Sequence, residues 1–378
     1  MIAPKLSGMK FTADRARFLD AVSIAARVAA GPIAAKTYTL GGVKLSLAGS
    51  TLRVLGTDHD LTMFSDIEVG GGDDGEALVP ARLLADIVKS IPSDRVDVVS
   101  GESSVEVSGG PAEFTVQALP PDAEHPVWSM GEGEAGGAPG ESIDAEALAE
   151  ALSKVVRVAS RDDSRPLLTG VLMEAEGEAL RLVATDTFRL AKKELRAAAL
   201  LGERERVLVP GRALHEVLRL LKNAERVVVR FDEQHARFEM DDVCLVTRLL
   251  TGDFPDYRAV IPDPPNRLRA DRATLAETVR RVGLMAQESS ALTLDPNKER
   301  MGVAAETQGV GRAEESVEVD REGEAIKVAF NHDYLASGLE SLDGGTVEIA
   351  LTDSVQPSVI RDPEDDSFLY LLMPINIR

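Results

Sequence analysis

Apolar positions along the chain fall first at helical spacing and then in alternation within one stretch that recurs three times. The clearest copy is Val209 to Val229, VPGRALHEVLRLLKNAERVVV; Val79 to Val99, VPARLLADIVKSIPSDRVDVV, repeats it, and Ala329 to Ile349, AFNHDYLASGLESLDGGTVEI, is a looser third. Each predicts a strand end, an amphipathic helix, a polar turn and a further strand. The helix starts align at Pro80, Pro210 and Asn331, a nearly constant spacing of one domain's length. Self-similarity at a fixed spacing predicts a chain built from repeated units.

The rest of the pattern fills out each unit. MKFTADRARFLDAVSIAARVAA from Met9 places Phe18, Leu19, Val22 and Ile24 on one helical face, with Asp14 near the start. Strands are predicted at Gly42 to Leu47, Thr51 to Gly56, Leu61 to Val69, Val96 to Val99, Ser104 to Val107 and Glu113 to Leu119. Gly131 to Gly140, GEGEAGGAPG, has no apolar period and reads as a linker. A helix from Asp144 to Ser160 opens the second unit. There Gly170-Val-Leu-Met answers Gly42-Val-Lys-Leu, and Thr185-Asp186 answers Thr57-Asp58, both pairs at the same separation. The unit closes on Val243 to Leu250, and Pro262-Asp-Pro-Pro265 marks a boundary, since proline stops both helix and ladder. A helix from Arg272 to Gln287 opens the third unit, with strands near Ala291 and Met301 and at Phe368 to Met373. The expectation is an α+β fold of three repeated domains, each with two helices packed on antiparallel sheets. The expected boundaries are an extension at 1–8, domains at 9–130, 141–262 and 263–378, and a linker at 131–140.

Composition narrows the class. The 378 residues are 44% apolar and carry a net charge of −21, which argues against a generally sticky nucleic-acid or membrane binder. No apolar run is long enough to cross a bilayer, and residues 1–8 lack the features of a signal peptide, so the expected location is cytoplasmic. Cys244, the one cysteine, leaves no internal disulfide and reads as an inert strand residue. The charge is unevenly spread. The six predicted helices hold 13 basic against 10 acidic residues, a net of +3, which leaves −24 for everything else. Arg82, Lys89, Lys154, Arg157, Arg161, Arg212, Arg219, Lys222, Arg280 and Arg281 would form a phosphate-facing stripe if the helices share one side. Read singly, each is an ordinary solvated helix residue; the pooled asymmetry makes the argument. Aromatics are 4% of the chain and do not interleave with these bases, which fits backbone contact with duplex better than stacking on single strands.

The segments MKFTADRARFLDAV, RDDSRPLLTGVLMEAEGEALRLVATDTFRLA from Arg161, TRLLTGDFPDYRAVIP from Thr247, FNHDYLASGL from Phe330 and YLLMPINIR at the end resemble the bacterial DNA polymerase III β subunit family, the sliding clamps. The resemblance runs from Met9 to Arg378. It implies a head-to-tail homodimeric ring, helices inside and sheet outside, that encircles duplex DNA without reading sequence. It also implies that the ring tethers the polymerase III catalytic subunit, the clamp loader and other clamp-motif proteins, with no cofactor. Nucleoid association and a role as an antibiotic target come with it. The implied pore adds Arg27, Lys36 and Arg165 to the helix bases. An implied peptide pocket takes Leu168, Thr185, Thr187, Phe188, Arg189, Leu190, Pro255, Val260, Asn331, Tyr334, Val355, Pro357, Leu371, Met373, Pro374 and Ile375. For ring closure the resemblance points to Phe114 and Val116 meeting Leu284 and Met285, with Glu314 and Glu315 as partners for bases across the joint. Ala259, Asn376 and Thr187 depart from the family pattern at the pocket, and GPIAAKTYTL lacks the usual prolines after the first helix. Such a pocket would suit a specialised, inhibitor-evading clamp copy.

An enzyme is not indicated. No P-loop, HExxH, nucleophile elbow or CxxC occurs, and His59, His125, His215, His235 and His332 sit in unrelated contexts. Asp58 and Asp186 recur after a threonine, which favours a turn role over a catalytic or metal-binding one. The other reading is a docking scaffold or decoy of the same fold that keeps the pocket and does not encircle DNA.

Overall fold

The computed structural model describes residues 8–29, 40–120, 140–286 and 291–376. Lys36, His125, the extension before Gly8 and the linker before Gly140 lie outside them.

The chain runs through one element pattern three times. The first repeat is β1 (Lys10–Asp14), α1 (Arg15–Ala29), β2 (Gly42–Ala48), β3 (Thr51–Thr57), β4 (Leu61–Glu68), β5 (Gly75–Pro80), α2 (Ala81–Ser90), β6 (Arg95–Ser100), β7 (Ser104–Gly109) and β8 (Ala112–Gln117). The second is β9 (Glu141–Asp144), α3 (Ala145–Val155), β10 (Gly170–Glu176), β11 (Ala179–Thr185), β12 (Arg189–Leu195), β13 (Arg206–Pro210), α4 (Gly211–Leu221), β14 (Arg226–Phe231), β15 (His235–Met240) and β16 (Val243–Arg248). The third is β17 (Asn266–Asp271), α5 (Arg272–Gly283), β18 (Ala291–Pro296), β19 (Arg300–Thr307), β20 (Gly311–Glu318), the extra β21 (Asp320–Glu322), β22 (Val328–Asn331), α6 (His332–Glu340), β23 (Thr346–Leu351), β24 (Ser358–Arg361) and β25 (Phe368–Leu372).

Local chemistry explains the starts and stops. Apolar residues at helical spacing bury one face of each helix, Leu84, Ile87 and Val88 in α2 and Leu275, Val279 and Val282 in α5. Asp14 accepts from the Arg17 amide at 3.0 Å, Asp271 from that of Thr274 at 2.8 Å, and Asn331 from that of Tyr334 at 3.0 Å, each closing the open N-terminus of a helix. The strand that precedes the first helix of each repeat, β1, β9 or β17, is not anticipated by the helical reading of its sequence. In KFTAD the alternation is five residues long and runs straight into α1, so Phe11 and Phe18 read as one helical pattern. In the fold they sit on different elements, with rings edge to face at 5.6 Å.

By its contacts the chain divides into two compact units, Met1–Ala145 with Arg219–Leu249, and Glu146–Leu218 with Leu250–Arg378. The first unit holds a four-stranded sheet, β1-β6-β7-β8, and an eight-stranded one, β5-β2-β3-β4-β16-β15-β14-β9. The second holds a nine-stranded sheet, β13-β10-β11-β12-β25-β24-β23-β17-β21, and a four-stranded one, β20-β19-β18-β22. Neither unit is a repeat. The long sheets form because β16 of the second repeat pairs with β4 of the first, Thr247 opposite Leu61, and β25 of the third with β12 of the second, Leu372 opposite Arg189. The two junctions are equivalent, since Leu61 and Arg189 stand at the same place after Thr57 and Thr185.

A buried carboxylate sits inside the nine-stranded sheet. Glu348 on β23 is 1% exposed and lies between Arg269 on β17 and Arg361 on β24, both at 2.9 Å or closer. Burial alone would raise its pKa; the two guanidinium groups outweigh that and hold the carboxyl below the usual range. A lowered folded-state pKa gives stability that is present above the unfolded value and lost as pH falls through the folded one. E348Q therefore costs about 1–3 kcal/mol near neutral pH, where a charge-assisted triad becomes a weaker amide contact. Urea unfolding at a series of pH values checks this: the gap between wild type and E348Q begins to narrow as pH falls below the unfolded glutamate value of about 4.3 and goes on closing through the lower folded one, and a gap constant with pH would refute the assignment.

Candidate functional site

The loop between β11 and β12 is fixed from within. Asp186 Oδ1 accepts from the amides of Phe188 and Arg189, both at 3.0 Å, and its Oδ2 takes the Arg189 guanidinium at 2.9 Å. Thr185 Oγ1 donates to the Arg189 carbonyl at 2.8 Å. The same turn occurs one repeat earlier, where Asp58 Oδ1 accepts from Asp60 and Leu61, which bears out its structural role. Both turns force positive φ on a residue that is not glycine, +81° at His59 and +79° at Thr187.

The two copies differ in what covers them. In the first, Thr57 and Asp58 are buried, and the Arg248 amide donates to the Asp60 carbonyl at 2.9 Å. In the second, the Met373 amide makes the equivalent bond to Phe188 at 2.8 Å, yet Thr185 and Asp186 stay partly exposed and Phe188 is 58% exposed. Val260 and Val355 are both at least half exposed, whereas Leu168, Leu190 and Leu371 are buried. Leu190 and Leu371 face one another across β12 and β25 and share one apolar cluster with Phe254, Tyr257 and Val359.

Arg189 organises the polar edge. Its guanidinium lies 4.2 Å from the Tyr334 ring centroid and donates from Nη2 to the Arg157 carbonyl at 3.0 Å. Tyr334 is held in turn by Asn331 at the start of α6 and by Tyr370, whose hydroxyl donates to the Tyr334 carbonyl at 2.9 Å. Burial pushes the Tyr370 phenol up to about 12, so it stays a donor at any physiological pH. Gly338 allows this packing: a Cβ there would come within 2.8 Å of the Tyr370 ring. The Ile375 amide donates to the Ala329 carbonyl at 2.7 Å and ties the last residues to β22. An exposed Phe188, a buried Leu190–Leu371 pair and a fixed guanidinium thus lie together at this junction. Of the residues implied by the resemblance, Pro255, Pro357, Met373, Pro374 and Ile375 keep accessible surface and Asn331 acts as a helix cap. Asp186, Gly338 and Tyr370 are supporting residues absent from the sequence-based set; the recurrence of Asp58 and Asp186 is the signal that pointed to the first.

The helix bases divide. Arg27, Arg82, Lys89, Arg157, Arg161, Arg165, Arg212, Arg219, Lys222, Arg280 and Arg281 are exposed. Lys154 is not: it is 4% exposed, pairs with Glu150 at 2.8 Å and with Asp343, and lies over the Phe368 ring. Its charge is balanced inside the second unit, which corrects its assignment to a phosphate-facing stripe. Arg280 and Arg157 share Glu340, at 3.3 and 3.8 Å. Arg281 binds Glu315 at 2.8 Å, so Glu315 already has a partner in its own chain, as Glu314 has in Arg312. Leu284 is 77% exposed and Met285 partly so, whereas Phe114 packs against the first unit's core and Val116 is buried in it. Burial pushes the Cys244 thiol up to about 12, which leaves it inert. Among the described residues no helix is long and apolar enough to cross a membrane, and no group of three or more His, Cys, Asp or Glu is placed to hold a metal ion.

Comparison with known proteins gives one family throughout. Models of the DNA polymerase III beta subunit match at residues 9–128 for its N-terminal domain, 142–256 for its central domain and 258–376 for its C-terminal domain. A beta sliding clamp of Streptomyces coelicolor is 29% identical over 98% of the chain and all of its own length. A beta sliding clamp homologue of Streptomyces muensis, GriR, is 30% identical over 97% of the chain and 99% of its own. Among solved structures, the beta sliding clamp of C. crescentus superposes with a TM-score of 0.90 at 30% identity, covering 98% of the chain and all of its own. The Bartonella birtlesii clamp, solved bound to griselimycin, gives 0.90 at 26% identity with the same coverage.

The open turn carries one direct test. A β-branched residue at φ +79° is strained, a cost of about 1–3 kcal/mol, whereas glycine adopts it freely at an unfolded-state penalty of about 0.5–1 kcal/mol. T187G should therefore stabilise the protein by about 1 kcal/mol in urea unfolding, and T187A by less. Destabilisation by T187G would show that the Thr187 hydroxyl, which accepts from Arg165 at 3.4 Å, matters more than the strain.

Proposed function

Because the chain belongs to the bacterial DNA polymerase III β subunit family, the sliding clamps, we propose that two copies close head to tail into a ring around duplex DNA. The ring tethers the replicative polymerase and other partners through the groove at Arg189 and Tyr334. In this reading the protein catalyses nothing itself; it holds other proteins on DNA by topology, and phosphate contacts from exposed helix bases carry no sequence preference.

The observation that carries the proposal is the repeated junction. β4 of the first repeat pairs with the last strand of the second, and β12 of the second with the last strand of the third. A third use of the rule pairs β20 with β8, the last strand of the first repeat. Both strands are sheet edges, each at one end of a four-stranded sheet. Each copy supplies one of each, so two copies close a cycle of six repeats, a heterologous contact that ends in a ring. Placing β8 by its hairpin and β20 by its turn as at the first junction sets Ala112–Val116 against Val310–Glu314.

The side chains agree with that register. Val310 is 53% exposed, Leu284 77%, and Leu83 on α2 48%. By the repeat, Leu284 occupies the position of Arg157 and Leu83 that of Tyr334, the two groups that Arg189 brings together at the second junction. Large apolar residues left in water at both places support an apolar contact between copies. An unpaired edge strand is otherwise a route to open aggregation.

Light scattering over a dilution series tests the closure. The expected species has twice the 40.4 kDa of one chain, and L284E and L83E each halve it while leaving the circular dichroism spectrum unchanged. A wild-type protein that is monomeric at every concentration would overturn the ring and favour a docking scaffold that does not encircle DNA. Capture of griselimycin, with which the Bartonella birtlesii clamp was solved, tests the groove separately; weak binding is expected where the groove departs from the family at Ala259, Asn376 and Thr187.

A further inference from the structure

A second hollow, of about 180 Å³, opens beside the groove beneath Ile261, Pro262 and Pro264. Its floor is a row of cross-strand neighbours. Arg267 on β17 stands opposite Ala350 on β23, Ala350 opposite Val359 on β24, Val359 opposite Leu371 on β25, and Leu371 opposite Leu190 on β12. Residues directly opposite in antiparallel strands share a face, so the row is unbroken from the groove to Arg267. Leu369 lies on the same face of β25 and also lines the hollow. Strands about 4.8 Å apart put the Arg267 backbone about 14 Å from that of Leu371, a span that an extended peptide covers in about four residues.

The far end of this strip carries a guanidinium, that of Arg267. Among the described residues Arg267 makes no side-chain hydrogen bond or ion pair, although Glu322 stands opposite it in register. Arg361 also lines the hollow and belongs with Arg269 to the Glu348 triad, which nets +1. Asp263 at the rim is exposed and Glu322 faces Arg267 from β21, so Arg267, the triad, Asp263 and Glu322 sum to zero in a chain of −21. A partly buried guanidinium without a partner, at the end of an apolar strip, is a receptor for a carboxylate.

We infer that a partner peptide seated in the groove continues along this strip and sets an acidic side chain on Arg267. The inference rests on the groove being a peptide site, and the test keeps the two apart. The probes are acetylated, amidated peptides with a Leu-Phe pair for the groove and, about four residues from it on one side or the other, either Glu or Gln. They are read by fluorescence polarisation against wild type, R267Q and F188A. In one placement the Glu peptide should bind wild type about fivefold tighter than its Gln twin, the size of one charge-assisted contact. R267Q should abolish that difference and leave the Gln peptide unchanged. Equal loss of both peptides with R267Q, no Glu preference in either placement, or a preference that needs a free C-terminal carboxylate would overturn the inference with the groove intact. Binding that F188A leaves untouched would overturn the groove reading, and this inference with it.

Discussion

Backbone hydrogen bonding across repeat boundaries is the constraint on which everything else here depends. A β-strand must place its amides and carbonyls somewhere, and in this chain the outer strand of one repeat finds its partner in the last strand of the next. The helices, the groove and the proposed ring joint all take their positions from that ladder. Arg189 lies on β12 because β12 is the receiving edge, and Leu371 meets Leu190 because β25 is the strand that arrives. Where the arriving strand belongs to another copy, the same rule becomes a rule of assembly.

Repetition also explains how a site can arise without new architecture. The turns at Asp58 and Asp186 are built alike, down to the positive φ at His59 and Thr187. At the first, Thr57 and Asp58 are closed over by neighbouring chain. At the second, Phe188 remains in water, and Arg189 beside it lies over the Tyr334 ring. The difference lies in side chains laid on a shared backbone, which is why the proposed groove belongs to one junction.

Much of this was legible in the sequence. The thrice-written stretch at Val79, Val209 and Ala329 marked strand, helix and strand in each repeat, because a helix with one buried face and a half-buried strand leave different periodicities. The recurrence of Thr-Asp identified a turn. What stayed hidden was what depends on three-dimensional neighbours. Strand β1 was masked by a helix that begins directly after its last residue. Lys154 looked like its exposed basic neighbours on the helix; only the arrival of Asp343 and Phe368 makes it a buried ion pair. The pairing of β16 with β4 joins segments from two different repeats, and no local pattern encodes it.

The mismatch between repeats and compact units bears on how the protein could be taken apart. A cut at the second repeat's start would strip β4 of its partner β16, and a cut at the third would do the same to β12. Each fragment would carry a raw edge of a long sheet, with apolar residues such as Leu190 newly uncovered. The repeat is thus a unit of inheritance and the split unit a unit of stability. Gene duplication could multiply the first only by preserving, at every copy, an edge shaped to receive the next.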